Sequence, residues 1–495
     1  MKMVMDAVEN NEVESRKLRI NLTILATIFT IVFSCLAILR HARLNSAVYD
    51  LGLFDQIIYN LAHFRFFESS IKGFNYLGDH FSPILILFTP LYWIKEDVRL
   101  LLIAQSLIIS LSGYYAGMLS YHFTKDRIVS TAFGLAILLN SNVMLITQFD
   151  FHPETMSIPL FIYIIYQFAL GRTDKVFIAS AIALTIKEDV AITVALSGIV
   201  FYLMSHKRVY LLLTLIGAVY FFLVIKLFIP CFRPKSFSGD YLYIERYSYL
   251  GRNMKEVIIS ILSNPFYPLF KMFNWTKLKV LLRLLYPTLF LSLLSPKFLI
   301  VILPIMYINW IPDYPPQFSL KFQYLNIVVP FIIGSSVYGY IRLRDRLRGD
   351  TFVKSNLSII VSTLILLFSI GNILIFYNTV VRFKYYVRNP YEAAFLKAKR
   401  MIPEDASLAT INTFGAQLSH RRDIEFALPF NLHMYHYKKM GLKMYSDAEY
   451  QLFLTEGDTT SDPNIMRERI KDLLERNNYS VIFNEDEVLL LRKNK

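Results

Sequence analysis

The apolar residues of this chain lie in long blocks that contain no charged residue. Five blocks each run for 20 or more uncharged residues: Ile20–Leu39, Leu100–Tyr121, Ile128–Phe149, Phe322–Ile341 and Leu357–Val381. A bilayer core about 30 Å thick needs about 20 such residues in one helix. The pattern therefore predicts an all-α polytopic membrane protein.

Six shorter or weaker apolar segments raise the predicted number of spans to about eleven. They are Thr155–Leu170, Val176–Ile186, Val190–Ser205, Val209–Ile229, Val280–Leu294 and Phe298–Ile311. The stretch Ser82–Ile94 is not counted, because it has only 13 residues and contains Pro83 and Pro90. We expect it to lie at the membrane interface.

Basic residues in the short loops predict which side each loop faces. With residues 1–19 in the cytoplasm, the arginine run at 342–348 also falls inside. The transmembrane domain then covers 20–381, with a first outer loop at 40–98 and a long outer loop at 230–279. If Val176–Ser205 were one helix, it would be about 45 Å long and would move the arginine run outside. Two helices are therefore favoured.

Composition supports a membrane protein and also suggests a reason for the net positive charge of the chain. Hydrophobic residues make up 55% of the 495 residues and charged residues only 18%, whereas soluble proteins carry about 25% charged residues. The net charge of +14 is attributed to positive inner loops of a plasma-membrane protein, and nucleic-acid binding is excluded. The two cysteines predict neither a disulfide nor a thiol metal site.

From residue 382 the charge density rises and the long apolar blocks end. Residues 382–495 predict a small soluble α/β domain on the outer side. Its predicted elements are a helix at Pro390–Ile402, strands at Ser407–Asn412 and Asp423–Leu428, a helix at Asn464–Asn477, and a hairpin of Ser480–Phe483 with Val488–Arg492. The cluster His420-Arg421-Arg422 is expected to be solvated surface.

Two acidic motifs are candidates for chemistry. The first outer loop carries Asp50, Asp55 and Gln56, and it ends near His80. A carboxylate at the membrane surface can accept a proton from a hydroxyl group or bind a divalent cation, although a solvated amphipathic helix has the same pattern.

The second motif contains Asp150, His152 and Glu154 within five residues. This spacing suits a divalent metal or acid–base chemistry. Alternatively, Asp150 caps the following helix and Pro153 occupies its first turn.

A third motif, Lys187-Glu188-Asp189, places three ionisable groups between two apolar segments. Such groups are costly unless they face a polar cavity. Lys187 could neutralise a phosphate, or the three residues could satisfy one another at an interfacial turn. The long outer loop contributes basic residues such as Arg246, which suit either a lid over an anionic substrate or contact with anionic lipid.

Taken together, these motifs resemble a known family. Tyr49-Asp50-Leu51-Gly52-x-Phe54-Asp55-Gln56, His80-x-Ser82-Pro83, Phe149 to Glu154 and Lys187-Glu188-Asp189 are similar to the markers of the membrane family called domain of unknown function 2079. The resemblance covers roughly the first span to residue 430. That family is grouped with the GT-C glycosyltransferases, which implies a multi-span enzyme with a catalytic Asp in its first outer loop. It also implies a sugar donor linked to a polyprenyl phosphate.

By position, Asp50 resembles the catalytic Asp of those enzymes, and Asp150 resembles a second acidic motif that some members use for a metal. The working hypothesis is a glycosyltransferase of the outer face in which Asp50 is the general base and Asp55 or His80 orients the acceptor. Lys187 would bind the donor phosphate, and Glu188, Asp189, Gln56 and Arg246 would be further substrate-binding residues. Asp150, His152 and Glu154 would hold Mg²⁺, Mn²⁺ or the acceptor.

Two other functions stay open. A transporter or flippase of a lipid-linked or anionic substrate would need ionisable groups near the membrane midplane. A non-catalytic scaffold would bind a partner through the outer tail and would have no groove beside Asp50. Under the glycosyltransferase hypothesis, the acceptor would be a glycan, a lipid or a protein.

Overall fold

The computed structural model describes residues 2–237, 242–312, 314–347, 351–381, 384–427, 445–457, 463–476 and 478–494. The chain is mostly helical and ends in a small sheet. The α-helices are α1 Lys2–Ala42, α2 Leu53–Ala62, α3 Thr89–Ile94, α4 Arg99–Thr124, α5 Arg127–Leu138, α6 Ser141–Gln148, α7 Ser157–Ala169, α8 Thr173–Leu184, α9 Val190–Ser205, α10 Leu211–Leu223, α11 Ile229–Phe232, α12 Met254–Ser263, α13 Phe266–Met272, α14 Trp275–Leu285, α15 Leu299–Trp310, α16 Val329–Arg346, α17 Thr351–Phe376, α18 Glu392–Arg400, α19 Asn412–Gly415 and α20 Pro463–Arg476.

Six of the predicted spans correspond to helical segments long and apolar enough to cross a membrane. Among the described residues there are five such helices, and the bent pair α5–α6 makes a sixth. The five are Asn11–Ala42, Arg99–Thr124, Arg208–Phe232, Pro315–Arg346 and Asn356–Val380. Of the other five predicted spans, four coincide with the shorter helices α7, α8, α9 and α15, so the total of about eleven stays a prediction.

The block Ile128–Phe149 was predicted as one span, but it bends by 47° between α5 and α6. Asn140 caps α6 by accepting the backbone N–H of Asn142 at 3.0 Å. Asn372 of α17 donates to the carbonyl of Leu139 at 2.8 Å and accepts from Ser141 at 2.7 Å. These polar side chains satisfy the backbone and hydroxyl groups at the break, which is why it is tolerated among apolar helices.

The predicted span Val280–Leu294 is not one helix. After α14 the backbone continues as short 3₁₀ turns, and Leu289 and Phe290 both have positive φ angles of 56° and 57°. Pro287 lacks the N–H that would continue the helix. By contrast, Val176–Ser205 forms two helices, α8 and α9, as favoured from the loop charges.

The helices pack around a core built mainly by α1, α4, α5, α7, α16 and α17. Small residues permit the closest approach: a Cβ on Gly134 of α5 would lie 2.9 Å from the carbonyl oxygen of Gly113 in α4. Without a hydrophobic driving force between helices in lipid, this close van der Waals packing is a main source of association.

The tail forms a five-stranded sheet in the order β2-β1-β3-β5-β4. The strands are β1 Leu408–Thr410, β2 Ile424–Phe426, β3 Tyr450–Leu454, β4 Tyr479–Glu485 and β5 Val488–Lys493. β1 is parallel to β2 and β3, and β3 and β4 are antiparallel to β5. The predicted terminal hairpin and both predicted helices are present. β3 was missed, and the end of the predicted strand Asp423–Leu428 lies outside the described residues.

The C-terminal domain is packed onto the helical bundle. One continuous apolar cluster runs from Phe33 of α1 through Val48 of the first loop to Phe395 and Phe414 of the tail. His420 and Arg421 were expected to be solvated, which is wrong. His420 binds a carboxylate of α2, and Arg421 is buried against three backbone carbonyls.

Candidate active site

A cavity of about 690 Å³ brings together side chains from all three predicted motifs. The first motif contributes Asp50, from a single π-helical turn at Val48–Gly52, and His80. The second contributes His152 and Glu154, and the third contributes Lys187 at the break between α8 and α9. Asp79, Lys72, Glu188, Asp189, Tyr243, Arg246, Tyr314, Tyr324 and Asn412 also line it.

Asp50 is held by His152. The His152 Nε2 lies 3.2 Å from the Asp50 carboxylate, while its Nδ1 lies 3.0 Å from the backbone carbonyl of Asp150. A carbonyl accepts only, so Nδ1 must donate. Burial lowers the pKa of His152, but the hydrogen bond and the charge of Asp50 outweigh burial and raise the pKa above its usual value. When the ring is protonated, it donates at both nitrogens, to the Asp50 carboxylate and to the Asp150 carbonyl.

Lys187 and Glu154 form an ion pair in the cavity wall, with the Lys187 Nζ 3.0 Å from a Glu154 oxygen. Burial would raise the pKa of Glu154, but the charges of Lys187 and His152 lower it to about 2. Burial would lower the pKa of Lys187, but Glu154, Asp189 and Glu188 raise it. The site therefore holds a cation that is permanently charged.

Glu188 binds His80, whose Nδ1 lies 2.8 Å from the carboxylate. The other Glu188 oxygen accepts the backbone N–H of Phe81 at 3.1 Å. Burial would raise the pKa of Glu188, but His80 lowers it. Neighbouring Asp189 shows the opposite shift, because desolvation in the cavity and the charge of Glu188 raise its pKa.

The long outer loop forms one wall of the cavity. Of its side chains, the sequence predicted only Arg246 as a site residue. Arg246 lies between the rings of Tyr243 and Tyr314, with its guanidinium carbon 4.3 Å from each ring centroid. Tyr243 donates to Asp79 at 2.8 Å, and Lys72 forms an ion pair with Asp79 at 2.5 Å. The only sequence signal for Asp79 is its place directly before His80, and Tyr243 lies in a loop already rich in tyrosine.

Three predicted site residues, Asp55, Gln56 and Asp150, do not line this cavity. Asp55 is fully buried and accepts hydrogen bonds from Tyr92, from Ser419 at 2.5 Å and from His420 at 2.7 Å. Gln56 donates to the backbone carbonyls of residues 421 and 422 of the tail. Asp55 and Gln56 follow Asp50 by five and six residues on a helical segment, so their side chains point toward the C-terminal domain.

The proposed metal ligands are not brought to one point. Asp150 is fully buried and binds Arg40 at 2.6 Å and the backbone N–H of Ala47 at 2.7 Å. His152 and Glu154 bind Asp50 and Lys187 respectively. No group of three or more His, Cys, Asp or Glu side chains suited to a metal occurs in the part of the chain that the structure describes. These residues do not fit the expected cation.

A family model described as "Predicted membrane protein (DUF2079)" matches residues 40–490. The chain belongs to this family. The match spans both the helical bundle and the tail of this DUF2079 protein. No curated protein matches the sequence.

The fold of this DUF2079 protein is similar to two solved structures of ArnT from Cupriavidus metallidurans. The apo structure shares 11% identity and a TM-score of 0.56, covering 94% of this chain and 98% of ArnT. The structure bound to undecaprenyl phosphate shares 10% identity and a TM-score of 0.57, covering 95% and 97%. The predicted GT-C fold is confirmed, including the small C-terminal sheet.

The geometry bears on the two competing functions. The transporter hypothesis required Val176–Ser205 to be one helix that carries Lys187–Asp189 at its middle, and the structure has two helices there. The scaffold hypothesis predicted no groove beside Asp50, and Asp50 lines a cavity. The structure therefore lacks the single helix that the first hypothesis needed and contains the cavity that the second excluded.

Proposed function

We propose that this protein is a glycosyltransferase that moves a sugar from a polyprenyl-phosphate donor to an acceptor on the outer face of the membrane. The observation that carries the proposal is the placement of Asp50 and two cations, Lys187 and Arg246, around one cavity. The likeness to ArnT bound to undecaprenyl phosphate supports the class of lipid.

In the proposed reaction, an acceptor hydroxyl attacks the anomeric carbon of the donor sugar. A new carbon–oxygen bond forms, and the bond from that carbon to the phosphate oxygen breaks. The electron pair of the broken bond goes to the phosphate, where Lys187 and Arg246 stabilise the charge. The hydroxyl proton goes to Asp50, whose carboxylate His152 orients. No step uses a metal, because Asp150, His152 and Glu154 do not converge.

The test is transfer by the purified full-length protein from radiolabelled undecaprenyl-phosphate-linked hexoses and pentoses. For Asp50→Asn we expect kcat to fall by roughly 10²–10⁴-fold, the usual contribution of a general base. The KM for the donor should change little, because Asp50 acts on the acceptor.

Asp345→Asn is the matched control, because Asp345 is half exposed and interacts with Arg344 on α16. It should retain wild-type turnover. Wild-type turnover in Asp50→Asn would remove Asp50 from the mechanism, and no transfer from any polyprenyl donor would count against the proposed function as a whole.

A further inference from the structure

The C-terminal domain contacts the backbone turn that carries Asp50. The side-chain oxygen of Asn412, the first residue of α19, accepts the backbone N–H of Val48 at 3.0 Å. Val48 begins the π-helical turn in which Asp50 is the third residue. Asn412 also lines the cavity, so one side chain of the tail reaches both the turn and the site.

Two close contacts, one at each end of this turn, leave no space for the turn to move toward the C-terminal domain. A Cβ on Gly415 would lie 2.4 Å from the Cβ of Val48, and a Cβ on Gly52 would lie 3.2 Å from the Cα of Ala416. Glycine at both positions lets α19 approach the turn closely. Since the two contacts flank Asp50 in sequence, they fix the turn at its beginning and end.

Contacts further along the first loop strengthen the same junction. The ring of Tyr49, next to Asp50, stacks on Phe426 of β2 at a centroid distance of 4.3 Å. Ser70 donates to the carbonyl of Ile424 at 2.7 Å and accepts the N–H of that residue at 2.9 Å. The tail therefore binds the turn and the loop behind it through both polar and apolar contacts.

We propose that the C-terminal domain is part of the active site and that Asn412 is a positioning residue for Asp50. This inference rests on the proposed function for its consequence in catalysis, but the positioning itself is a structural property. The bond from Asn412 holds the Val48 N–H, and the packing of Gly415 and Ala416 sets the distance of the turn from the domain. The C-terminal domain would thus fix the position of the Asp50 carboxylate relative to the acceptor.

The first test measures positioning without any substrate. Amide hydrogen exchange of the full-length protein in detergent is followed in peptides covering residues 44–53. In Asn412→Ala the Val48 amide should exchange roughly fivefold faster, the change expected for losing one ordinary hydrogen bond. Asn412→Asp keeps an acceptor oxygen and should restore slow exchange. Asn494→Ala is the control, because Asn494 is exposed and bonds only Asn478 among the described side chains.

The second test measures transfer from the undecaprenyl-phosphate-linked donor. We expect kcat of Asn412→Ala to fall roughly tenfold to a hundredfold, as for a small misplacement of a catalytic group, with little change in KM and with recovery in Asn412→Asp. Gly415→Ala should lower kcat in the same way, whereas Gly371→Ala should not, because nothing lies within 4 Å of a Cβ there.

The two tests separate the inference from the proposed function. Unchanged exchange at Val48 in Asn412→Ala would overturn the positioning role, whatever the enzyme does. Faster exchange together with wild-type kcat would overturn the catalytic consequence. Faster exchange in a protein that transfers no sugar would leave the positioning supported and refute only the proposed function.

Discussion

Four charge pairs line the cavity: Lys72 meets Asp79 within the first outer loop, and the other three pairs each join two sequence motifs. Asp50 meets His152, Glu154 meets Lys187, and Glu188 meets His80. Burying a single charge is costly, and a partner at hydrogen-bond distance offsets that cost. The same pairing lowers the pKa of Glu154 and of Glu188 and raises the pKa of Lys187 and of His152.

The first residue-scale prediction concerns the protonation of His152. In Asp50→Asn, the hydrogen bond and charge that raise its pKa are lost, so burial should lower the pKa below the ordinary value of about 6.5. In the wild type, the pair stabilises the fold at low pH, and the effect is lost as the pH rises through the raised pKa.

This shift is measured by NMR titration of isotope-labelled histidines, with the His152 signal assigned from a His152→Gln sample. An unchanged His152 titration in Asp50→Asn would mean that the two side chains do not interact in the folded protein.

The second residue-scale prediction concerns Lys187. Lys187→Met leaves Glu154 buried without its cation, which should lower the free energy of unfolding by roughly 3–5 kcal/mol. Glu154 has a folded pKa of about 2 against an unfolded value of 4.5. Its stabilising effect is therefore full above the unfolded value and is lost as the pH falls toward 2. In the variant the charge of Lys187 no longer opposes burial, so the pKa of Glu154 rises and the loss of stability on acidification should be smaller.

Thermal unfolding in detergent across a pH series measures both effects. Lys187→Met/Glu154→Gln should recover part of the stability, because no charge is left unpaired. Lys471→Met is the control; its side chain is 72% exposed, so the free energy should change by less than about 0.5 kcal/mol. A loss no larger than in the control would contradict the buried ion pair.

At the scale of elements, the site depends on interruptions of helices. Lys187 lies where α8 ends and α9 begins, Asp50 lies on the π-helical turn before α2, and Glu154 lies on a 3₁₀ turn before α7. The charged motifs predicted these interruptions correctly, since ionisable groups are excluded from helix interiors that face lipid. The bend at Asn140 was missed because spans were identified as blocks without charge, and the polar residues Asn140, Ser141 and Asn142 carry none.

At the same scale, helical geometry explains why Asp55 does not line the cavity that contains Asp50. Asp50 and Asp55 are five residues apart in continuous helical structure, and they face different neighbours. The sequence shows two acids in one loop, but not that Ser419 and His420, more than 360 residues away, bind one of them.

At the scale of the whole molecule, the predicted topology places the end of the Arg208–Phe232 helix on the outer side. That end meets the first outer loop, because a Cβ on Gly78 would lie 2.6 Å from the carbonyl oxygen of Phe232. Both cysteines are exposed. Cys231 lies at the end of the Arg208–Phe232 span, whereas Cys35 lies inside the Asn11–Ala42 span, where an exposed side chain faces lipid.

A membrane-impermeant maleimide should therefore label Cys231 in intact cells and leave Cys35 unmodified. Cys231→Ser should abolish the labelling, and Cys35→Ser should not change it. Mass spectrometry of the purified protein measures both sites. Labelling of Cys231 only after the cells are permeabilised would reverse the proposed orientation.

The sequence by itself determined the membrane class, the six apolar segments that are long enough to cross a membrane, the terminal hairpin and the three charged motifs. These follow from local composition, because lipid excludes charge over about 20 residues and strands alternate over a few residues. Only the tertiary structure decided how the motifs combine: Asp150 pairs with Arg40 rather than with a metal, Asp55 faces the tail, and Asn412 reaches Asp50's turn. Each of these is a contact between residues more than 100 positions apart, and only the packing of distant segments brings such residues together.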